Sequence, residues 1–258
     1  MSMLVAVEHA SHSYGRGTAV DDVSLMIEAG EIVALVGPNG AGKTTLLKML
    51  AGLLEPRSGR VVRTVRRTEV AYLAESDELP LDWSVREMVE LGRLPHVGLW
   101  RGLSKRDDDA VEAAMERTAI LSYCHRLLSS LSGGERRRAA LARALAQEPR
   151  VLLLDEPAAH LDLRHQVELF SMLRQEAARG VGVVVVVHDL GFAARADRCV
   201  LLAEGSIRAQ GAPAEALRAE RLSEIYGTSV EVLRTSDGGL AIVPAIAREW
   251  SSWTEESS

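Results

Sequence analysis

Gly37-Pro38-Asn39-Gly40-Ala41-Gly42-Lys43-Thr44 is the stretch on which the reading of this chain turns. It follows Glu31–Val36, a short run, continuously apolar after Glu31, of the kind that forms a strand buried on both faces. It precedes Thr44–Ala51, where Leu46, Leu47, Leu50 and Ala51 recur at helical spacing. A Gly-x-x-x-x-Gly-Lys-Thr string between such a strand and helix is a phosphate-binding loop. Gly40 and Gly42 let the backbone curl so that successive N–H groups face phosphate oxygens, and the helix N-terminus adds the positive end of its dipole. Lys43 is placed to neutralise β- and γ-phosphates, and the Thr44 hydroxyl to ligate Mg²⁺. The expected nucleotide cradle is Gly37, Pro38, Asn39, Gly40, Ala41, Gly42, Lys43, Thr44 and Thr45.

Downstream, Val151–Leu154 reads as a second buried strand and ends in Asp155-Glu156. Asp155 leaves that strand where it can reach a Mg²⁺ shell, and Glu156 is placed to polarise an attacking water. Val183–Val187 is a third buried strand, with Leu163–Arg179 as the helix before it. Buried strands alternating with helices predict an α/β fold with a mostly parallel core sheet. Ahead of the phosphate loop, Leu4–His9 and Val20–Glu28 predict antiparallel strands around a turn at Gly15–Gly17. Val61–Thr64 and Val70–Ala74 predict two more strands. Ser84–Leu91, with Ser84 as cap and Glu87 three residues on, and Lys105–Thr118 predict helices, followed by a linker over Cys124–Ser130. No central strand is expected from about residue 75 to 130. With the Gly134–Gln147 helix, this defines a helical subdomain inserted over about 76–148. Cys199–Glu204 and Ser206–Gln210 predict a hairpin, Pro213–Tyr226 two short helices, and Val230–Arg234 with Leu240–Val243 a final pair. The expected limits are one domain over 1–248, with a C-terminal extension from about 212, and a frayed tail over 249–258.

Composition excludes several classes. Of 258 residues, 47% are apolar and 26% charged, as in an ordinary folded domain. A net charge of −6 leaves no global basic field for nucleic acid. Cys124 and Cys199 lie far apart in sequence and read as two free thiols of a reducing compartment. The longest apolar runs fall far short of the ~20 residues a membrane helix needs. A membrane process would therefore be served through a partner, from the cytoplasmic side.

Leu131-Ser132-Gly133-Gly134-Glu135, between the phosphate loop and the acidic strand end, closely resembles the signature of ABC-type ATPases. The resemblance covers roughly Leu4 to Gln210. It implies that Ser132, Gly133, Gly134 and Glu135 cradle the γ-phosphate held by a second subunit, so two chains close around two ATP molecules. It implies that Tyr14 stacks on adenine and that His188, in Val187-His188-Asp189, contacts the γ-phosphate and the catalytic glutamate. It also implies that Asp162, in Ala159-His160-Leu161-Asp162, crosses the dimer interface. On this basis Lys43, Glu156 and His188 are the expected catalytic residues. Where the family has glutamine after a Tyr-Leu-x strand end, Val70-Ala71-Tyr72-Leu73-Ala74 is followed by Glu75. A glutamate there could still ligate Mg²⁺, beside Thr44 and Asp155, but it brings a charge near the γ-phosphate.

Within the family, the segment from Leu81 to Gly92-Arg93-Leu94-Pro95-His96 is similar to the permease-facing region of iron-chelate, haem and cobalamin importers. Asp155–Gln166 and Ile225–Val232 look the same way. The expected cofactors are ATP and Mg²⁺. The expected partners are a second ATPase subunit in a homodimer, an integral-membrane permease, and a substrate-binding protein upstream. The expected place is the cytoplasmic face of the membrane. Zinc and manganese importers share part of these strings and form the second reading. A non-transport ATPase acting on nucleic acid or ribosomes is the third, weakened by the single ATPase domain and by the position of Arg136-Arg137-Arg138 within the signature helix.

Overall fold

The computed structural model describes residues 2–15, 17–75, 80–97, 102–159, 161–236 and 239–245. In chain order, β1 (Met3–Tyr14) and β2 (Gly17–Glu28) form a hairpin, followed by β3 (Ile32–Val36) and α1 (Lys43–Ala51). Next come β4 (Ser58–Arg63), β5 (Val70–Leu73), α2 (Val85–Glu90), α3 (Leu94–Val97), α4 (Lys105–Arg117) and α5 (Gly133–Ala146). The remainder is β6 (Val151–Leu154), α6 (Leu163–Ala178), β7 (Gly182–Val186), α7 (Leu190–Ala193), β8 (Arg198–Ala203), β9 (Ser206–Gly211), α8 (Pro213–Ala216), α9 (Ala219–Tyr226), β10 (Val230–Arg234) and β11 (Leu240–Pro244).

The central sheet has the order β5-β6-β7-β3-β8-β9. Its neighbours are parallel except β8 and β9, which form the expected hairpin. Successive side chains on a strand point to opposite faces, and here that alternation builds two cores. Ala34, Leu152, Leu154, Val183 and Val185 face one side, where they meet α5, α6 and the buried faces of α2 and α4. Val33, Leu35, Val151, Leu153, Val184 and Val186 face the other, where they meet α1 and the antiparallel sheet β2-β1-β4. Strands buried on both faces read as continuous Val/Leu runs for this reason.

The helices between β5 and β6 are fixed by caps. Ser84 and Glu87, Ser104 and Asp107, and Ser132 and Glu135 each make a reciprocal capping box. Loss of one such cap costs about 1 kcal/mol. A small-residue contact sets the spacing between α5 and the 3₁₀ turn Leu91–Arg93 that follows α2, since a Cβ on Gly92 would lie 2.1 Å from the Arg143 carbonyl oxygen.

Several boundaries differ from the sequence reading. β1 runs on to Tyr14, past register shifts between Val7 and Ser13, with His9 and Asp22 both at positive φ. β4 begins at Ser58 because that residue pairs with Ser11. Thr64 lies beyond it, and its hydroxyl donates to the Met3 carbonyl. Gly133 opens α5 one residue earlier than expected, directly after the Ser132 cap. The 124–130 linker contains a 3₁₀ turn at Leu128–Ser130 and a bridge from Leu127 to Ser84. The short helix α7, capped by Asp189, was not anticipated. β10 and β11 pair as expected, while Asp237 and Gly238 of their connection lie outside the described residues. Both cysteines are free thiols. Among the described residues no helix is long and apolar enough to cross a membrane.

Candidate functional site

β6, β7 and β3 are parallel neighbours, so their C-terminal ends lie along one edge of the sheet. That edge carries Asp155-Glu156 after β6, Val187-His188 after β7 and the 37–42 loop after β3. A crevice at the carboxyl ends of such strands is where open α/β sheets bind ligands. The crevice here is a cleft of about 450 Å³ lined by Tyr14, Lys43, Thr44, Glu75, Glu156 and His188, together with Ala19 and residues Asn39–Gly42 and Thr45.

The phosphate loop has the curvature its glycines were chosen for. Gly42 sits at φ 101°, where a Cβ would lie 2.1 Å from the Ala19 carbonyl oxygen. It caps α1 with no side chain, which leaves the first amides of that helix open to the cleft. Lys43 is buried and folds back over the loop, its Nζ donating to the carbonyls of Gly37 at 2.8 Å and Pro38 at 2.9 Å. Burial lowers its pKa, and the carboxylates of Glu156, Asp155 and Glu75 push the other way.

Asp155 is buried at the end of β6, and burial raises its carboxyl pKa, with the Thr44 hydroxyl acting in the opposite direction. Its Oδ2 accepts from the Tyr72 hydroxyl at 3.4 Å, while its Oδ1 has no hydrogen-bond partner. An orphaned buried carboxylate oxygen carries a desolvation cost of about 1–3 kcal/mol or more until something pairs with it. Burial beside Asp155 also raises the Tyr72 hydroxyl pKa well above its ordinary value.

Glu156 stands at φ 48°, the left-handed region that costs a non-glycine residue roughly 1–2 kcal/mol. That turn aims its carboxylate at His188, whose Nε2 makes a short contact with Oε1. His188 is half-exposed, whereas the Glu156 side chain is largely covered. Tyr14 ends β1 with its ring exposed and set edge-on to His12 at 4.9 Å. Glu75 is exposed just beyond β5.

Ser132, Gly133, Gly134 and Glu135 are not part of the cleft lining. They form the N-terminus of α5, with Ser132 and Gly133 exposed. The Ser132 amide donates to Glu135 Oε2 at 2.7 Å and the Glu135 amide donates to Ser132 Oγ at 3.3 Å. The Glu135 side chain is therefore engaged in its own helix cap, which holds its pKa down. Asp162 also lies apart from the cleft. It caps α6, its Oδ1 accepting from the His165 amide at 2.9 Å and meeting His165 Nδ1 at 2.8 Å. His160 lies outside the described residues.

Sequence reasoning missed the groups that brace this edge. Tyr72 was read only as a strand residue, and the Tyr226 hydroxyl against the Gly37 backbone joins α9 to the phosphate loop. Arg137 reaches five main-chain carbonyls of the 74–75 and 155–157 segments. Gly92 and Arg93, within the string read as permease-facing, point inward. Arg93 is buried and bonds Asp107, the Ala146 carbonyl and Glu148.

A phosphate loop opening a helix, an acidic pair at the end of a neighbouring parallel strand and this strand order together define a P-loop nucleoside triphosphatase. Comparison with known proteins narrows the class. Residues 20–159 match the ABC transporter family. The chain is 40% identical over 253 residues to the hemin import ATP-binding protein HmuV of Thermobifida fusca (strain YX), covering 94% of this chain and 88% of that protein. It is 37% identical to the ferric enterobactin transport ATP-binding protein FepC of Escherichia coli (strain K12), covering 93% of each. A solved structure described as an inward-facing metal-chelate type ABC transporter superposes with a TM-score of 0.86 at 26% identity, over 95% of this chain and 98% of that one. The chain belongs to the ABC transporter ATP-binding family, and it is an ATP-binding, ATP-hydrolysing cassette.

Proposed function

We propose that this chain energises an importer for haem or an iron chelate of the siderophore kind, cobalamin being the related cargo class. It would work as a pair of copies on the cytoplasmic face of a membrane, against an integral permease fed by a substrate-binding protein. The observation that carries this reading is the division of the site. Lys43, Thr44, Glu75, Glu156 and His188 share one cleft, while Ser132 and Gly133 stand exposed, with half-buried Gly134 behind them, outside it. A second copy supplies the missing wall. Similarity along nearly the whole chain to proteins named for hemin and ferric enterobactin transport supports the cargo class.

In this reading Tyr14 stacks on adenine. The main-chain N–H groups of the 37–45 loop, Pro38 having none, and the N-terminus of α1 hold the phosphates, with Lys43 exchanging its loop carbonyls for phosphate oxygens. Glu156 orients and polarises the attacking water, and His188 holds that carboxylate in place. The Thr44 hydroxyl and the unpaired Oδ1 of Asp155 fit a hard divalent cation such as Mg²⁺, with the Glu75 carboxylate at the edge of the same cleft. Such an ion, when bound, neutralises charge on the transferred phosphoryl group. Asp162 crosses between copies. Pairing around ATP and reopening after hydrolysis drive the permease between its two faces, since ATP binds the closed pair more tightly. The moving parts are an inserted helical subdomain over about 76–148 and a core that includes the extension from about 212, with contact to the permease through the region between Glu75 and about Trp100.

Affinity capture of the tagged chain from native membranes, with partners identified by mass spectrometry, tests this. A polytopic permease of the iron-chelate, haem or cobalamin kind is expected. A zinc or manganese permease would change the cargo class, and soluble or nucleic-acid-bound partners alone would overturn the transport reading.

A further inference from the structure

We propose that Arg137 is a positioning residue for hydrolysis, a strap that ties the helix behind Ser132 to the main chain on which Glu156 is mounted. The three arginines at 136–138 look alike in sequence and are used differently. Arg136 Nη1 donates to the Leu131 carbonyl at 2.7 Å, within its own helix cap. Arg138 Nη2 pairs with Glu168 of α6 at 3.0 Å. Arg137 leaves α5 and enters the space between two loops of the site. Its Nε donates to the Pro157 carbonyl at 3.1 Å. Its Nη2 donates to Asp155 at 3.2 Å and Glu156 at 3.0 Å. Its Nη1 donates to Ala74 at 3.2 Å and Glu75 at 3.4 Å.

The backbone geometry explains why a guanidinium stands here. In an extended strand, successive carbonyls point to opposite sides. The carbonyls of Asp155, Glu156 and Pro157 instead converge on one group, because Glu156 adopts φ 48°. Converging carbonyl dipoles repel one another unless a cation or several donors lie among them. Arginine alone offers five N–H donors in a rigid planar fork, able to meet main-chain carbonyls from both of these segments at once. A lysine ammonium in the same place would satisfy at most three, from a single point. Without the strap, the strained Glu156 backbone has reason to relax, and its carboxylate then leaves the position that faces His188 and the water.

The same side chain holds Ala74 and Glu75. A displacement of α5 therefore reaches the Glu75 loop and the Glu156 loop together, through one residue that does not line the nucleotide cleft. Arg137 should therefore matter for turnover and not for nucleotide affinity. This inference rests on Glu156 being the residue that polarises the water.

The test is a comparison of R137M, R137K, E156Q and the R137M/E156Q double variant, each as the purified full-length chain. Steady-state Mg-ATP turnover and the dissociation constant of a fluorescent ATP analogue are measured for each. R137M should lose about 30-fold or more in kcat, the scale of an ångström-level misplacement, with analogue affinity within threefold of the parent. R137K should recover part of the loss. In the E156Q background, R137M should change the residual turnover by less than about twofold, because groups that act as a unit are not additive. R137M at wild-type kcat, affinity falling in step with kcat, or the same fold-loss repeated on E156Q would each overturn the proposal. Should R137M fail to fold, R137K and R137Q carry the same expectations at smaller size. E156Q with undiminished turnover would remove the base assignment itself, which is distinguishable from an active R137M beside an inactive E156Q.

Discussion

Replacing Arg93 by methionine tests whether the Gly92–His96 string is a docking surface or a structural joint. The side chain is 3% exposed, and its Nε and Nη1 reach Asp107 at 2.9 Å, the Ala146 carbonyl at 2.6 Å and Glu148 at 2.9 Å. It thus joins the start of α4 to the end of α5. Removing one partner of a buried ion pair costs about 3–5 kcal/mol. Two features place this site at the lower end. Asp107 keeps the amide and hydroxyl of Ser104 as donors, and Glu148 is nearly half-exposed, where an ion pair contributes about 1 kcal/mol or less. Methionine retains most of the aliphatic volume, so no large cavity opens. At about 3 kcal/mol, and about 2–4 °C per kcal/mol for a domain of this size, the melting temperature should fall by about 6–12 °C. Differential scanning calorimetry of the full-length chain measures it, and ATP turnover at 20 °C should stay within about twofold, since Arg93 is remote from the cleft. A fall of less than about 2 °C would refute the burial argument. Lost transport at an unchanged melting temperature would restore the docking reading of Arg93.

Glu156→Gln should lower ATP turnover by about 10²-fold or more and trap an ATP-bound pair of chains, seen as a dimer by size-exclusion chromatography. Wild-type turnover would refute the base assignment. Glu75→Gln should leave the chain active but shift the Mg²⁺ concentration for half-maximal ATPase, because it removes a negative charge facing Lys43 and Asp155; an identical Mg²⁺ titration would refute a role for that charge. The Ser104 hydroxyl and amide, and then Arg93, hold the Asp107 carboxyl at about 2, below its unfolded value of about 3.9. The stability it contributes is therefore complete above about pH 4 and lost as pH falls toward 2. Ser104→Ala should cost about 1 kcal/mol at neutral pH and move the acid-unfolding midpoint upward. An unchanged midpoint would refute the linkage.

The sequence was legible where local chemistry decides the outcome. The phosphate loop needs glycines at fixed offsets, and the buried strands need uninterrupted Val/Leu runs, so both announce themselves. The Ser84-to-Glu87 box was readable because its acid lies three residues on. The equivalent box at Ser104 uses Asp107, and the one at Ser132 was hidden beneath a functional reading of the same residues. β1 was cut short at His9 because the alternation fails there. His9 and Asp22 take positive φ at the irregular register and bond each other at 2.8 Å, a compensation visible only in the paired strands. Arg93 and Arg137 were illegible for a different reason. Each is an ordinary charged residue on a helical segment, and their partners lie from 14 to 63 residues away. The left-handed turn at Glu156 likewise has no signature in residue type.

These missed residues converge on one element. α5 begins with the exposed Ser132 cap and Gly133, is strapped by Arg137 to the Glu75 and Glu156 loops, and ends where Arg93 binds the Ala146 carbonyl. The next residue, Gln147, donates from Nε2 to Thr68 and Val70 at 2.9 Å each, at the entry to β5. Its middle is alanine-rich and buried, so it packs closely and has little room to bend. A helix tied near its start by Arg137 and just past its end by Gln147 to the segments that carry the acids moves as a rod or not at all. Force applied to its exposed N-terminus by a second copy would then reach Glu156 through Arg137 and β5 through Gln147, whereas Lys43, mounted on the opposite face with α1, would be left in place. Within one copy, hydrolysis would then depend on the position of α5, and the grip of the phosphate loop much less so. A direct reading is the ratio of kcat to analogue affinity across R137M, Gln147→Ala and Lys43→Ala. The first two should lower kcat alone, and the third should weaken affinity as well. Equal loss of affinity in all three would show that the rod and the phosphate loop are one unit, and the division argued from the two cores would fall.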